Sequence, residues 1–262
     1  MSFTKRTLVI GSGEVGSSLA RVLKRCHIVM MRDKEEPDEM TKEALKEHGI
    51  DVLNICFPYF DGFIDVVREY EKMYRPKYTI IHSTVPPGTT RELGGFFVHS
   101  PIHGKHPNLE GGIMTFVKYV GGINKDIAEQ AQAFLRHAGI NSAIVDSPET
   151  SELSKICCTT QYGWMIIITK EIKKLCERYN ADFEMVYGWN KFYNHGYEKL
   201  GMSQFKRPTL DYMPGKIGGH CVAQNSKLID SFFTNLVKDK QKEYEASEIN
   251  KDVGEMVEEP SV

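Results

Sequence analysis

The sequence predicts an α/β protein in which a doubly wound parallel sheet over residues 1–146 is followed by an all-helical domain over residues 147–240. In the first half, short apolar runs alternate with amphipathic segments, as in parallel sheets whose strands are joined by helices. No strand signal follows Ser147. Instead, an apolar stripe runs from Leu153 to about Tyr179, which predicts one long central helix.

The first apolar run, Arg6 to Ile10, breaks into a glycine-rich turn and then continues with helical spacing. Gly11 would turn the chain, Gly13 would let the backbone approach a pyrophosphate, and Gly16 would let helix and strand pack closely. The helix N-terminus would offer free N–H groups to the phosphates. This context predicts a Rossmann-type fold that binds a dinucleotide through Gly11, Ser12, Gly13, Glu14, Val15 and Gly16.

The end of the second strand, residues 27–31, bears on the type of cofactor. Asp33 is placed to bind the ribose hydroxyls of NAD, whereas Arg32 and Lys34 would instead hold the 2′-phosphate of NADP. A solvated charged loop is the structural alternative. NAD is the predicted cofactor, with NADP left open.

Later strand ends should face the same cofactor, because ligands of open α/β sheets bind at the carboxyl ends of the strands. Two prolines in the turn over residues 85–90 make it rigid. Strands are predicted at residues 51–57, 78–84, 96–100, 118–122 and 142–145, with helices at 39–48, 63–73 and 125–138. The cofactor contacts predicted at these strand ends are Phe57, Pro58, Ser83 and Thr84.

The composition is that of a globular protein, with 41% hydrophobic and 26% charged residues over 262 positions. No apolar run is long enough to span a bilayer, and the N-terminus does not resemble a leader. A net charge of −2 gives no reason to expect nucleic acid as a partner. The six cysteines lack CxxC spacing, so we expect reduced thiols in a cytoplasmic protein without a membrane partner.

The second half should contain further helices after the long one. These are predicted over residues 182–189, 197–202 and 225–238, with an acidic, mobile tail over 241–262. About thirty helical residues would extend roughly 45 Å, more than one small domain covers. We therefore expect a homodimer formed through the long helix.

Three segments resemble the UDP-glucose/GDP-mannose dehydrogenase family of nucleotide-sugar dehydrogenases. They are HSTVPPGTT over residues 82–90, ETSELSK over 149–155 and PGKIGGHC over 214–221. The resemblance implies two successive hydride transfers to NAD, which take a sugar alcohol through an enzyme-bound aldehyde to an acid. It also implies that Cys221 is the nucleophile, that Lys155 stabilises oxyanions and that Thr84 lies near the reacting centre.

The residue types around Cys221 suit such chemistry. A thiolate adds to an aldehyde to give a thiohemiacetal, which loses hydride to give a thioester that water cleaves. Gly218 and Gly219 would permit close approach of the substrate, and His220 or Lys155 would lower the pKa of the thiol. A buried, unreactive cysteine is the alternative for Cys221.

Glu152, one helical turn before Lys155, is assigned to the substrate. An i, i+3 pair with Lys155 on a helix surface is the alternative for both residues.

Two positions depart from the family pattern beside the expected catalytic residues. The asparagine usual four residues after the helical lysine is Thr159, and the aspartate usual four residues after the cysteine is Asn225. Both are kept as candidate catalytic residues. An amide cannot act as the carboxylate base that helps water attack a thioester, so oxidation by two or by four electrons is left open.

A third departure follows Pro101, where the usual acid is replaced by a basic cluster. His103, Lys105 and His106 are predicted to bind an anionic sugar derivative or to act as acid and base. No Cys or carboxylate lies at matching spacing, so no metal site is predicted.

The family's further nucleotide-binding domain is not expected in this chain, which runs only about forty residues beyond Cys221. The resemblance is therefore to a short form, and a polyol, a hydroxy acid or a sugar phosphate is also a plausible substrate. One rival interpretation is a two-electron β-hydroxyacid or 6-phosphogluconate-type dehydrogenase that uses Lys155. The other is a cofactor-binding regulatory protein whose catalytic set has decayed.

Overall fold

The computed structural model describes residues 3–34, 49–104, 107–218 and 220–255. The chain forms two compact units, Met1–Lys155 and Ile156–Val262. The change of unit falls after Lys155 rather than after residue 146, because the first turns of the long helix pack on the sheet. The helix predicted over 39–48 lies outside the described residues.

Unit 1 is built on a seven-stranded sheet. Its strands are β1 (Arg6–Ile10), β2 (Ile28–Arg32), β3 (Val52–Ile55), β4 (Tyr78–Ile81), β5 (Phe97–His99), β6 (Lys118–Gly122) and β7 (Ser142–Val145). Its helices are α1 (Glu14–Leu23), α2 (Phe63–Tyr74), α3 (Thr89–Leu93), α4 (Leu109–Thr115) and α5 (Lys125–His137). Two apolar clusters form its core; one includes Leu19, Ile80 and Phe134, the other Leu8, Ile55 and Phe63.

The strand order β2-β1-β3-β4-β5-β6-β7 confirms the predicted Rossmann-type class. β1 to β5 are parallel, and the order reverses direction between β1 and β3. Such a switch point opens a crevice at the carboxyl ends of the two strands, where ligands of open α/β sheets bind. The glycine turn follows β1 directly, so the topology places it at this crevice.

The sequence predicted a parallel sheet, but one pair of strands is antiparallel. β6 pairs antiparallel with β5, and β7 is parallel to β6. His99, the last residue of β5, lies opposite Gly121 of β6. Because the two strands run in opposite directions, the chain leaves β5 and enters β6 at the same edge of the sheet. The seven-residue α4 within this connection is only about 10 Å long, and an antiparallel pair needs no crossover to the opposite edge.

The helical domain contains α6 (Pro148–Arg178), which starts in unit 1, then α7 (Phe183–Lys199), α8 (His220–Asn225) and α9 (Phe232–Glu255). The 31 residues of α6 confirm the long helix. No helix in the described ranges combines the length and apolar character needed to cross a bilayer.

Two helix boundaries in this half were predicted wrongly. The helices expected over 182–189 and 197–202 are one helix, because no proline interrupts it and the chain turns only at Gly201, whose φ is +68°. The helix expected over 225–238 is replaced by α8 and α9, and residues 241–255 of the expected tail continue α9. Tyr244, only 5% exposed, packs there against Ile217 and Val237 and anchors the helix.

Candidate cofactor and catalytic sites

The three glycines of the turn have different surroundings. A Cβ on Gly16 would lie 1.9 Å from the carbonyl oxygen of Gly11, so only glycine fits there. Gly11 has a φ of +100°, and its Cβ would lie 3.1 Å from the backbone of Cys56 and of Phe57. No atom lies within 4 Å of a Cβ placed on Gly13. Two glycines thus serve packing, and the third leaves open space at the N-terminus of α1.

Asp33 connects the end of β2 to this turn. Its carboxylate accepts hydrogen bonds from the hydroxyl and, at 3.3 Å, from the N–H of Ser12. The bond from the Ser12 hydroxyl lowers the pKa of Asp33, so the carboxylate is charged at neutral pH. Arg32 turns instead to α2, where its guanidinium lies 2.5 Å from the Tyr74 hydroxyl and 5.2 Å from the Tyr70 ring centre. The acid rather than the arginine therefore adjoins the glycine turn.

The other strand-end residues divide into accessible and structural ones. The Ser83 hydroxyl donates to the carbonyl oxygen of Phe57 at 2.5 Å, and the Phe57 ring packs 5.1 Å from that of Phe63. The Ser83 side chain therefore links the ends of β3 and β4, and the Phe57 ring packs on α2. Pro58 is exposed and Thr84 is half-buried, so both retain surface that a ligand can reach.

Glu152 does not act as the sequence predicted. Its side chain is fully buried, and the two carboxylate oxygens accept hydrogen bonds from the backbone N–H groups of Gly88, at 2.7 Å, and Thr90, at 2.8 Å. Both partners belong to the proline turn that follows Thr84. Glu152 therefore fixes this turn to α6, with one backbone N–H bonded to each carboxylate oxygen.

We predict that Glu152→Gln lowers the free energy of unfolding by about 1–3 kcal/mol, because an amide NH₂ group would face a buried N–H donor. Glu149→Gln is the matched control. Glu149 pairs with Arg91 at the surface, and such pairs are worth about 0–1 kcal/mol. Urea unfolding of both variants measures the difference, and equal losses would show that the buried carboxylate does not hold the turn.

The first turns of α6 are attached to the sheet at two further points. The hydroxyl of Ser151 lies 2.8 Å from Nδ1 of His99, and Nε2 of His99 lies 3.0 Å from the carbonyl oxygen of Ser83. A Cβ on Gly121 would lie 2.5 Å from the carbonyl oxygen of Ser147, so the helix start contacts β6 directly. Lys155 follows Ser151 by one turn and is half-buried. Unit 1 therefore holds Lys155 on a well-fixed helix end.

Several basic groups surround Lys155 in unit 1. Lys118 is buried and its ammonium donates to the carbonyl oxygen of Ser100; burial, with a smaller effect from Lys155, holds the Lys118 pKa well below its usual range. Burial, and next the charge of Lys155, lower the pKa of His103 to about 4. His103 is thus neutral at pH 7. It can exchange hydrogen bonds, as the predicted acid–base role requires, but it carries no positive charge for the alternative role of anion binding.

The buried histidines make the stability of the protein depend on pH. Burial lowers the pKa of His99 to about 3 and that of His82 well below its usual range. Below an ordinary pKa of about 6.5 the unfolded chain binds protons that the folded chain does not. The stability contributed by neutral burial is therefore present above pH 6.5 and is lost as the pH falls.

From pH 7 to 5.5 we expect the free energy of unfolding to fall by about 1 kcal/mol for each of the two histidines. Urea titrations at the two pH values measure this, and His99→Gln should remove the contribution of about 1 kcal/mol that His99 makes to the effect. A protein equally stable at both values would contradict the neutral burial of these side chains.

In unit 2, Cys221 lies on α8 and is exposed. Nδ2 of Asn225, on the same helix, donates to the hydroxyl of Thr159 on α6 at 3.3 Å. The two departures from the family pattern therefore contact each other. Because neither is a carboxylate, this pair does not provide the base that thioester hydrolysis would use.

Some predicted site residues are not described or only partly described. Lys105, His106 and Gly219 lie outside the described residues, as does the side chain of His220. Gly218 is exposed, with no atom within 4 Å of a Cβ placed on it.

Sequence reasoning missed Lys118, His99 and Lys170, because a lone basic residue in an apolar strand or helix gives no motif. The signal for Lys118 was its position at the start of a buried strand.

No protein-family model and no curated protein matches the sequence. Solved structures do match. The UDP-D-ManNAc dehydrogenase of Pyrococcus horikoshii is 16% identical, with a TM-score of 0.72 over 90% of this chain and 68% of that one. The UDP-N-acetyl-mannosamine dehydrogenase of Staphylococcus aureus is 17% identical, with a TM-score of 0.69 over 95% and 70%.

A shorter protein is also similar in structure. The 3-hydroxyisobutyrate dehydrogenase of Mycobacterium tuberculosis is 16% identical, with a TM-score of 0.67 over 93% of this chain and 94% of that one. At such identities the similarity establishes the fold, which nucleotide-sugar and hydroxyacid dehydrogenases share.

Proposed function

We propose that the chain is a cytoplasmic, NAD-dependent dehydrogenase that oxidises an alcohol group of a small, anionic, sugar-like substrate. The observation that carries the proposal is the glycine turn at the β1/β3 switch point. Close packing there leaves room only for glycine at Gly16, whereas open space remains at Gly13. The ionised Asp33 beside this turn favours NAD, because it can accept from the ribose hydroxyls and would repel a 2′-phosphate. The shared fold of the dehydrogenase structures supports the same class.

The described residues can be assigned to the cofactor and to the proton transfer of such a reaction. NAD, when bound, supplies the acceptor for a hydride from the alcohol carbon. The N–H groups at the start of α1 would hold its pyrophosphate, and Asp33 its adenosine ribose. Lys155 would take the proton of the alcohol.

One observation favours the two-electron oxidation of a hydroxyacid-type dehydrogenase over the four-electron oxidation of a nucleotide-sugar dehydrogenase. Thr159 and Asn225 form a hydrogen-bonded pair without a carboxylate, which removes the base expected for thioester hydrolysis. In the two-electron reaction Lys155 suffices and Cys221 is incidental. In the four-electron reaction of a nucleotide-sugar dehydrogenase, Cys221 forms the thiohemiacetal.

The test is an absorbance assay with NAD and NADP against UDP- and GDP-sugars, sugar phosphates, polyols and hydroxyacids. We expect reduction of NAD, with one NADH formed for each substrate molecule and with Cys221→Ser still active. Two NADH molecules and an inactive Cys221→Ser would identify the four-electron reaction. NAD binding without any turnover would favour the regulatory alternative, and absence of NAD binding would refute the proposal.

We also propose a homodimer; the sequence predicted that it forms through the long α6, whereas we place its interface on α7. Met185, Trp189 and Phe192 recur at helical spacing on α7 and are 74%, 69% and 75% exposed. A stripe of large apolar side chains at this exposure is typical of a surface covered by another chain. Sedimentation of wild type and Trp189→Glu tests this. We expect a dimer that the variant dissociates, and a monomeric wild type would contradict the proposal.

A further inference from the structure

The segment over residues 206–217, which we call the tethered loop, has no regular secondary structure. Side chains from the surrounding helices nevertheless bind its backbone at several points. Asn194 accepts from the N–H of Arg207 at 2.7 Å and donates to its carbonyl oxygen at 2.8 Å. The Tyr187 hydroxyl accepts from the N–H of Leu210 at 3.0 Å, and Gln241 accepts from that of Ile217 at 2.9 Å. The path of this loop is therefore set by other elements.

Lys170 makes the central attachment. It lies on α6 and is only 5% exposed. Its ammonium donates to the carbonyl oxygens of Met213, at 2.6 Å, and Gly215, at 2.5 Å. The rings of Tyr212 and Tyr244 flank it at 5.5 and 5.1 Å. Burial of an ammonium is costly unless hydrogen bonds compensate it, so this charge strongly favours the observed position of the loop.

The tethered loop leads directly to Cys221. Ile217 at its end is 2% exposed and Val222 is 5% exposed, and both pack in one apolar cluster with Ile167 and Val237. Val222 also contacts α6, since a Cβ on Gly163 would lie 2.8 Å from its Cγ1. Cys221 lies on α8, four residues after Ile217 and directly before Val222.

We propose that Lys170 is a positioning residue that fixes the end of the tethered loop, and thereby the accessibility of the Cys221 thiol that follows it in the sequence. The sequence gives no hint of this, because a lysine within a helix reads as a surface residue. A consequence for catalysis would follow only in the four-electron thiol reaction, which is the alternative to the proposed two-electron reaction. The effect of Lys170 on the loop and on the thiol can be measured without an activity assay, through cleavage of the loop and alkylation of Cys221.

The test compares Lys170→Met with Lys174→Met in the full-length protein. Lys174 lies one turn further along α6, where it pairs with Glu171 and Glu243 at the surface. Loss of the two charge-assisted bonds should raise the rate of tryptic cleavage after Lys216 by about tenfold, because cleavage follows the population of the opened loop. The rate at which iodoacetamide alkylates Cys221, measured relative to that of exposed Cys158, should rise or fall by about threefold.

The control should show neither change. Unchanged cleavage and alkylation in Lys170→Met would overturn the proposal. Faster cleavage with an unchanged Cys221 would overturn it as well, because the loop would then not govern the thiol. If circular dichroism shows Lys170→Met to be unfolded, Gln241→Leu, which removes the attachment of Ile217, should produce the same two changes in a folded protein. An inactive wild type would refute the proposed function but leave these results interpretable.

Discussion

Lys155→Met should lower the rate of NADH formation by about 10²- to 10⁴-fold, the usual contribution of a general base. The variant removes the amine that would accept the alcohol proton and keeps a side chain of similar length. Affinity for NAD should stay unchanged, because the glycine turn and Asp33 are intact. Steady-state kinetics with any substrate found in the assay above, combined with a titration of NAD, measures both quantities.

Lys173→Met is the control for a lysine on the same helix. Lys173 pairs at the surface with Glu177, so its replacement should leave the rate within a few-fold of wild type. A Lys155→Met enzyme that keeps its rate would assign the proton transfer to another group. The neutral His103 would then be the next candidate.

Gly16→Ala should destabilise unit 1 by about 3 kcal/mol or more, since its methyl group would overlap the backbone oxygen of Gly11. Backbone cannot move aside as the end of a flexible side chain can, and β1 and α1 would have to separate. Thermal unfolding measures the loss. Gly13→Ala is the matched control, because its methyl group meets no atom within 4 Å at a φ of −59° that alanine adopts freely. Equal melting temperatures for the two variants would contradict the packing role of Gly16.

The parts of the fold that the sequence predicted well are those that local patterns determine. The glycine turn combines a strand end, a steric requirement and a helix start within eleven residues, Arg6 to Gly16, and the structure shows all three. The long α6 has an apolar stripe that no proline interrupts after Pro148. Asp33 was singled out by its position after the second strand, although its bond to Ser12 was not foreseen.

What the sequence did not predict depends on contacts between distant residues. Glu152 and its partners at Gly88 and Thr90 are more than sixty positions apart, so a carboxylate that holds a turn was mistaken for a substrate ligand. Thr159 and Asn225 were treated as two separate departures from the family pattern, but the structure shows that their side chains are hydrogen-bonded to each other. The antiparallel β6 depends on where a short connection returns to the sheet, which periodicity does not show.

Charge states were the least predictable feature, because burial decides them. The sequence predicted that His103 binds an anion or acts as acid and base, and it could not show that burial keeps the side chain neutral at pH 7. Lys118 and Lys170 are lysines in buried positions, and only the carbonyl oxygens that they meet in the folded chain explain them.

Calorimetric titration of NAD into wild type and Gly13→Ala tests most directly whether the open space at the glycine turn is a dinucleotide site. The variant adds one methyl group where a pyrophosphate would approach the backbone, so we predict that NAD binds wild type and that its affinity falls by about tenfold or more in the variant. The melting temperatures of the two free proteins should agree. Equal affinity of both proteins, or no binding by either, would contradict this assignment.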